Sequence, residues 1–453
     1  MDTPVWDFVQ SYRQAGPRRF HMPGHKGTGP LGCEMWDITE VQGADSLYEA
    51  SGIIAESERN AAALFGSGAT FYSTGGSSQC VGAMLYLCLT NRPAGAAPAV
   101  LAARNVHKSF VHAAALLDFE PLWLWPEGES RSLCACPVTA EGLEKTLNAL
   151  PVPPAAVYVT SPDYLGNMAD IPALAAVCHR HGTVLAVDNA HGAYLRFLAP
   201  SLHPLDQGAD LVCDSAHKTL PVLTGGAYLH IGRAAPAAFR EGARAALALF
   251  GSTSPSYLTL ASLDLCNRYL AEEGPERIRA AAGRLSALRG DLAGWGWASA
   301  GTEPLKLTLD AAACGWTGFQ AAEYLRAEGV EPEYEDRDYV VLMASGSTGE
   351  EAFERAADAL QSAVSRRPVS RPALPPARGE RALSVREALF APREAVAAEE
   401  SLGRICGAPT VSCPPAIPVA VSGERIGPEA LALFRHYGVE TVDVVREERL
   451  SVS

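Results

Sequence analysis

Short apolar runs alternate with stretches of helical periodicity between about residues 56 and 250. The apolar runs cover 99–102, 156–159, 184–187, 211–213 and 226–231, and the helical stretches cover 79–90, 171–181 and 234–249. Strands that alternate with helices are typical of βαβ units. The pattern therefore predicts an α/β domain with a mostly parallel sheet.

The flanking regions predict an N-terminal arm and two smaller domains. Val5, Phe8, Val9 and Tyr12 recur at helical spacing and indicate an amphipathic helix that packs on another surface. One or two helices at 257–293 precede strands at 305–309 and 339–343, which enclose a helix at 317–328. The predicted boundaries are 1–20 for the helical arm, 21–250 for the large domain, 251–365 for a small α+β domain, 366–381 for a Pro- and Arg-rich linker and 382–453 for a C-terminal α+β domain.

Composition and charge exclude several classes of protein. The 453 residues suffice for two or three domains, and the net charge of −14 disfavours nucleic acid and anionic membranes as partners. The eleven scattered cysteines include no paired CxxC motifs, so neither a disulfide framework nor a zinc site is expected. We expect no metal, no signal peptide and no membrane span, and the cysteines favour a reducing, cytoplasmic location.

The strongest local signal for chemistry lies at residues 210–220. An apolar strand ends there in Ser215, His217 and Lys218. Ligands of open α/β sheets bind beyond the carboxyl ends of the strands. A lysine at that position can lose its proton and attack a carbonyl to form a Schiff base. The pattern alone leaves open a solvated lysine after a strand.

A second strand, about thirty residues earlier, ends in Asp188, with Ala190 and His191 close behind. A carboxylate at a strand end can keep a pyridine nitrogen protonated, so that the ring acts as an electron sink. The small Ala190 would let a flat ring lie against the backbone. A helix cap is the alternative reading of Asp188.

Three further motifs surround these two strands. Residues 73–79 (STGGSSQ) open a helix with glycines and hydroxyls, which suits phosphate, although a plain N-cap has the same pattern. In 104–109, His107 could stack on a planar cofactor or belong to a polar loop. His21 and His25 have metal-ligand spacing only in a helix, and the Pro-Gly pair between them argues against one.

Taken together, these motifs supply a phosphate cradle, a ring stacker, a partner for a pyridine nitrogen and an imine-forming lysine within one α/β domain. Pyridoxal 5′-phosphate (PLP) requires all four, and few other cofactors do. NAD-dependent catalysis is set aside because its glycine fingerprint is missing.

The order of the motifs resembles that of the bacterial Orn/Lys/Arg decarboxylases, and most closely their short Gram-positive arginine/lysine branch. These enzymes are PLP-dependent and have the aspartate-aminotransferase fold (fold type I). The matching motifs are 21–27 (HMPGHKG), 104–109 (RNVHKS), 187–192 (VDNAHG), 215–218 (SAHK), 252–257 (STSPSY), 400–405 (ESLGRI), 413–418 (CPPAIP) and 423–426 (GERI). Departures at 47–52 and at Ala416 leave the substrate within the family open.

The resemblance implies a role for each site residue. Lys218 would form the aldimine with PLP, and Asp188 would pair with the ring nitrogen. His107 would stack on one face of the ring, with Ala190 against the other and His191 at the same edge. The residues that would bind the phosphate are Gly76, Ser77, Ser78, Ser215 and His217.

Two residues would complete the cofactor site. Thr253 would reach the phosphate of a neighbouring subunit, which implies a homodimer or higher homo-oligomer. Ser161 would approach the phenolic oxygen of the ring. The implied reaction is α-decarboxylation of arginine, lysine or ornithine, with Lys218 or His217 returning a proton to Cα.

The substrate side chain would be cationic. An acidic cluster at Glu333, Glu335, Asp336 and Asp338 precedes a predicted strand, and we expect most of it to be a solvated loop. Glu333 is the candidate to bind the cationic group. The alternatives are a PLP-dependent aminotransferase or another fold type I lyase, and a silent regulator that binds polyamines. Retention of both Lys218 and Asp188 argues against the regulator.

Overall fold

A computed structural model describes residues 1–127, 132–364, 366–371, 374–412 and 416–447. The α-helices are Pro4–Ala15 (α1), Ile53–Phe65 (α2), Gly76–Thr90 (α3), Lys108–Leu117 (α4), Ala140–Ala149 (α5), Ile171–Arg180 (α6), Ala216–Thr219 (α7), Ala237–Phe250 (α8), Tyr257–Glu272 (α9), Gly274–Asp291 (α10), Gly318–Ala327 (α11), Glu350–Ser362 (α12), Val385–Phe390 (α13) and Pro428–His436 (α14). The β-strands are Ala69–Ser73 (β1), Ala97–Ala103 (β2), Glu120–Leu124 (β3), Pro154–Thr160 (β4), Val184–Asp188 (β5), Leu211–Asp214 (β6), Ala227–Ile231 (β7), Ser299–Ala300 (β8), Lys306–Asp310 (β9), Tyr334–Glu335 (β10), Tyr339–Met343 (β11), Arg393–Ala397 (β12), Thr410–Ser412 (β13), Ile417–Ala420 (β14) and Thr441–Val445 (β15).

The predicted α/β alternation is confirmed. Every apolar run named above becomes a strand, and the pairs β5/β6, β2/β4 and β2/β3 are parallel. Strands β1 and β3 have no counterpart among those runs. The region 257–293 forms two α-helices, α9 and α10.

The chain divides into two compact units, each built from segments distant in sequence. The first unit comprises 1–94, 171–280 and 345–347, and the second comprises 95–170, 281–344 and 348–453. The domain boundaries given above remain a prediction.

In the first unit the strand order is β1-β7-β6-β5, and β7 runs antiparallel to both of its neighbours. Helix α3 packs on these strands and against α8. A Cβ at Gly82 would lie 2.7 Å from the ring of Phe250, so the glycine permits the close approach of the two helices. The first residues of α3 lie at the end of the sheet where β5 and β6 terminate. We call this end the carboxyl edge of the sheet.

The parallel pairing of β5 with β6 determines which residues lie at this edge. Asp188 is in register with Cys213, so β5 and β6 end side by side. The segments that follow them, 189–192 and 215–218, therefore leave the same edge of the sheet, although they begin 26 residues apart in sequence. This register positions the candidate site.

The predicted N-terminal arm is the helix α1. Val5 and Val9 are fully buried, and α1 packs against α2 and α9. The backbone N–H of Trp6 donates to Asp264 Oδ2 at 2.9 Å. Apolar residues at helical spacing thus bury one face of the arm, as expected.

In the second unit β2 lies between β3 and β4. A separate antiparallel sheet has the order β10-β11-β9-β8, and two antiparallel pairs, β12/β15 and β13/β14, lie near the C-terminus. Residues 413–415 of the CPPAIP motif lie outside the described residues.

The ten cysteines within the described ranges are free thiols, as the sequence predicts. Burial raises the pKa of Cys80 to about 12 and that of Cys213 well above its usual range. In the described segments, no helix combines the length and the apolar composition needed to cross a bilayer.

A buried ion pair holds part of the second unit together. Lys306 Nζ lies 2.8 Å from Glu303 Oε2, and the two side chains are 0% and 1% exposed. The Lys306 ammonium also donates to the backbone carbonyl of Asp163 at 3.1 Å. Removing one member of such a pair strands an uncompensated charge in the interior.

We expect Glu303→Gln to lower the free energy of unfolding by about 3–5 kcal/mol, because the buried Lys306 ammonium would lose the carboxylate that lies 2.8 Å away. Thermal and urea unfolding followed by circular dichroism measure the change. The control is Glu331→Gln, whose partner is Arg326 and whose side chain is 75% exposed. It should cost less than about 1 kcal/mol. Equal losses in the two variants would contradict the argument.

Candidate active site

The turn that follows β5 carries three of the predicted site residues. Asp188 is 3% exposed, and its Oδ1 accepts the backbone N–H of Ala190 at 3.2 Å. The thiol of Cys213 lies 3.6 Å from the same oxygen. The carboxylate therefore closes the turn 188–192, and no α-helix begins there that it could cap. Ala190 and His191 are buried beside it.

Lys218 follows the neighbouring strand, β6, and its side chain contacts the turn 188–192. β6 leads into the one-turn helix α7, which presents Lys218 at the carboxyl edge of the sheet. Lys218 Nζ lies 2.9 Å from His191 Nε2. An ammonium can only donate, so when Lys218 is protonated His191 accepts through Nε2. The Lys218 side chain is exposed, and a small molecule could reach its amine.

His217 faces the turn before β7. Its Nδ1 lies 3.0 Å from the carbonyl oxygen of Gly226. A carbonyl can only accept, so Nδ1 carries a proton. Partial burial lowers the pKa of His217; the hydrogen bond to the Gly226 carbonyl opposes this shift, and the charge of Lys218 adds to it. Near neutral pH the ring is therefore uncharged.

The glycine loop before α3 forms an anion-binding geometry. Gly76 has a φ of 72°, and a Cβ built there would meet nothing within 4 Å. No side chain caps α3, so the N–H groups of its first turn, at Ser77 and Ser78, keep the positive end of the helix dipole open. Ser215 Oγ donates to Ser77 Oγ at 2.8 Å, which ties this loop to the end of β6.

Gln79 organises the loop, and the sequence reasoning missed this role. Its Oε1 accepts from Ser73 Oγ at 2.6 Å and from the backbone N–H of Gly75 at 3.2 Å. Its Nε2 donates to Tyr48 Oη at 2.9 Å and to the carbonyl of Leu247 at 2.8 Å. A long polar side chain directly before the apolar part of the helix, which starts at Cys80, is the signal that could have identified it. Through Tyr48, the divergent segment 47–52 is connected to the loop.

The remaining predicted site residues are placed within their own units. Thr253 is exposed between α8 and α9 of the first unit. His107, Ser161 and Glu333 belong to the second unit. His107 caps α4 by accepting the backbone N–H of Ser109 at 3.2 Å, and the buried Ser161 Oγ accepts that of Ala169 at 3.0 Å. Their roles toward a cofactor remain predictions.

The acidic cluster is not the solvated loop that the sequence suggested. Asp336 and Asp338 are 5% and 3% exposed. Asp336 accepts from Tyr334 Oη at 2.7 Å, and Asp338 lies 3.4 Å from His436 Nε2. The charge pattern does not reveal the His436 contact, because that residue is distant in sequence, whereas Tyr334 is only two residues from Asp336. Glu333, in contrast, is exposed. It accepts a hydrogen bond from the hydroxyl of Tyr164, also in the second unit, at 3.0 Å.

The first-unit residues fit PLP. The lysine amine, the buried Asp188 carboxylate and the open N-terminus of α3 lie along one sheet edge, and the space above Gly76 suits a phosphate oxygen. A mostly parallel sheet with this set at its carboxyl edge defines a PLP-dependent enzyme of fold type I.

Comparison with known proteins identifies the family. The model of the family "Orn/Lys/Arg decarboxylase, major domain" matches residues 3–293. The chain belongs to this family and is an amino-acid decarboxylase, a carboxy-lyase. Family and fold together indicate PLP as its cofactor.

Individual proteins are similar over 80% to 98% of the chain. The arginine decarboxylase of Halalkalibacterium halodurans is 30% identical over 471 aligned residues, which cover 96% of this chain and 93% of that protein. The lysine decarboxylase of Francisella novicida has a similar fold, with a TM-score of 0.76 at 16% identity over 98% of this chain and 81% of that chain. A structure of SPT with a PLP internal aldimine gives a TM-score of 0.54 at 16% identity, covering 80% of this chain and 83% of that one.

We expect Gln79→Leu to weaken PLP binding about tenfold, because Ser73 and Gly75 would lose a shared acceptor and the loop its fixed shape. Titration of the visible absorbance with PLP measures the affinity. Asn91→Ala, at the opposite end of α3, should leave it unchanged. Unaltered affinity in Gln79→Leu would limit that residue to a structural role.

Proposed function

We propose that the chain converts a basic amino acid, arginine, lysine or ornithine, into the corresponding amine and CO2. The observation that carries this proposal is the meeting of Lys218 with the Asp188 turn, through the 2.9 Å contact between Lys218 Nζ and His191 Nε2. Family membership supports decarboxylation. When bound, PLP supplies a protonated ring that accepts the electron pair of the breaking bond.

Each residue at this edge has a defined task in the proposal. Lys218 would hold the cofactor through its ε-amine. Asp188, which is buried and therefore only weakly screened, holds a proton on the ring nitrogen. The N–H groups at Ser77 and Ser78, the space above Gly76 and the hydroxyl of Ser215 receive the phosphate.

The proton that returns to Cα is assigned to Lys218. His217 is the other candidate, but its lowered pKa leaves it uncharged near neutral pH, and its Nδ1 proton is engaged by Gly226. Lys218 has an exposed side chain at the same edge of the sheet, and its ε-amine would donate this proton. Contacts of His107 and Ser161 with the cofactor are part of the same proposal.

The assembly is proposed to be a homodimer. Thr253 lies in an exposed segment, 252–254, between two helices. Such a hydroxyl is available to a second copy, where it would reach the phosphate site. The free thiols support a reducing compartment such as the cytoplasm.

The attachment site can be tested by reducing the protein with borohydride in the presence of PLP and mapping the labelled peptide. We expect the label on Lys218, none on Lys218→Ala, and full labelling of Lys145→Ala, which changes an exposed lysine of α5. A yellow, reducible Lys218→Ala protein would contradict the assignment.

The reaction can be tested with a panel of arginine, lysine and ornithine. Release of CO2 with formation of the matching amine supports the proposal. Formation of a keto acid without CO2 would identify an aminotransferase instead. Arginine is expected to be the best substrate, since the relative with 30% identity is an arginine decarboxylase.

Substrate recognition is assigned to Glu333, the exposed acid of the cluster. Glu333→Lys should raise the KM for the basic substrate by about tenfold or more, because a cation would face a cation. Steady-state kinetics measure the effect. Glu323→Lys, an exposed acid on α11, has the same charge change and should leave the KM unchanged. An unaltered KM in Glu333→Lys removes that residue from the site.

A further inference from the structure

A fully buried carboxylate lies four residues before Lys218. Asp214 ends β6, and its Oδ2 accepts from His203 Nε2 at 3.0 Å and from His230 Nε2 at 3.1 Å. Its Oδ1 accepts from Asn189 Nδ2 at 2.6 Å. All four side chains are fully buried. We call this group the Asp214 cluster.

Two histidines and a carboxylate could hold a metal ion, but the hydrogen bonds favour another reading. The backbone N–H of Leu205 donates to His203 Nδ1 at 3.3 Å, which places the ring proton on Nε2. A protonated Nε2 donates to Asp214 and cannot coordinate a metal. Burial opposes ionisation, yet His203 and His230 hold the pKa of Asp214 well below its usual range. The cluster is an ionised carboxylate that accepts three N–H bonds.

Asn189 connects this carboxylate to the turn 188–192. Its backbone N–H donates to the carbonyl of Cys213 at 2.9 Å, while its side chain donates to Asp214. Two successive residues of β6 thus hold one residue of the turn. The carbonyl of Asn189 in turn accepts the backbone N–H of Gly192 at 2.8 Å, which closes the turn. Asn189 therefore has little freedom to rotate.

The turn 188–192 carries three residues that are predicted to contact the cofactor. Asp188 precedes Asn189 directly, and Ala190 and His191 follow it. His191 Nε2 is the group that lies 2.9 Å from Lys218 Nζ. A rotation of the peptide at Asn189 would move Asp188 and His191 together. The cluster therefore controls the carboxylate and the lysine partner at once.

We propose that Asp214 is a positioning residue for the cofactor, acting through Asn189 on Asp188 and on the His191–Lys218 contact. This inference rests on the proposed function, since it concerns the same site. Asp214 touches neither substrate nor cofactor in the proposal. Its effect is to keep the turn in the shape that accepts PLP before the cofactor arrives.

The test compares PLP affinity with stability in three full-length variants. Asp214→Asn replaces an oxygen that accepts these N–H bonds with an amide nitrogen, which cannot accept them. The variant should weaken PLP binding about tenfold or more. Asn189→Ala removes only the connection between the cluster and the turn, and it should weaken binding to a similar extent. Titration of visible absorbance with PLP gives the dissociation constants, and calorimetry of the cofactor-free proteins gives the Tm values.

Asp210→Asn is the matched control. Asp210 is also buried beside β6, and it accepts from His179 Nε2 at 3.0 Å and from the backbone N–H of Leu185 at 2.8 Å. It lies at the opposite end of the strand, so its loss should lower the Tm and leave PLP affinity within about twofold of wild type. The control distinguishes a displaced turn 188–192 from a general loss of stability.

The outcomes are distinct. The inference stands if Asn189→Ala loses affinity while Asp210→Asn does not, even where Asp214→Asn fails to fold. It is overturned if Asn189→Ala binds PLP as tightly as wild type, or if affinity simply follows Tm in all variants. Wild-type protein that binds no PLP would overturn the proposed function itself, and this inference with it.

Discussion

The parallel register between β5 and β6 is the constraint on which the site depends. It aligns Asp188 with Cys213, so that two segments that begin 26 residues apart leave the sheet at the same edge. Backbone hydrogen bonds of a ladder fix this alignment to within one residue, because a slip would turn every side chain to the other face. Asp188 and Lys218 therefore lie at or just after the ends of rigid strands, and their relative position does not depend on a long loop.

Helix α3 adds the third component to this edge. Its first turn has no side-chain cap, and the surrounding residues leave its N–H groups directed toward the site. Gln79 fixes the loop from inside the helix and not from the loop itself. The anion-binding end is thus held by a buried amide whose partners come from β1, from the segment around Tyr48 and from α8.

Much of this arrangement follows from the sequence, and the exceptions have physical causes. The strand Tyr339–Met343 and the start of the SAHK segment are local patterns, and they were predicted at the right place. β1 and β3 were not, since Phe71 and Tyr72 stand among small polar residues and β3 contains a proline. The burial of the acidic cluster is not visible in the charge pattern, because His436, which lies 3.4 Å from Asp338, is distant in sequence. Contacts between residues distant in sequence leave no mark in a charge pattern. Gln79 illustrates the same limit, because its four partners, Ser73, Gly75, Tyr48 and Leu247, come from three separate segments.

The buried thiols near the site have a practical consequence. Cys80 is fully enclosed in α3, just beyond the glycine loop, and Cys213 lies against Asp188. With pKa values raised by burial, neither thiol reacts while the native contacts persist. Each one becomes reactive only when its own neighbourhood opens. The chain therefore contains intrinsic chemical probes of breathing motions at the phosphate loop and at the ring-binding turn, so that alkylation rates can compare the two without any engineered label.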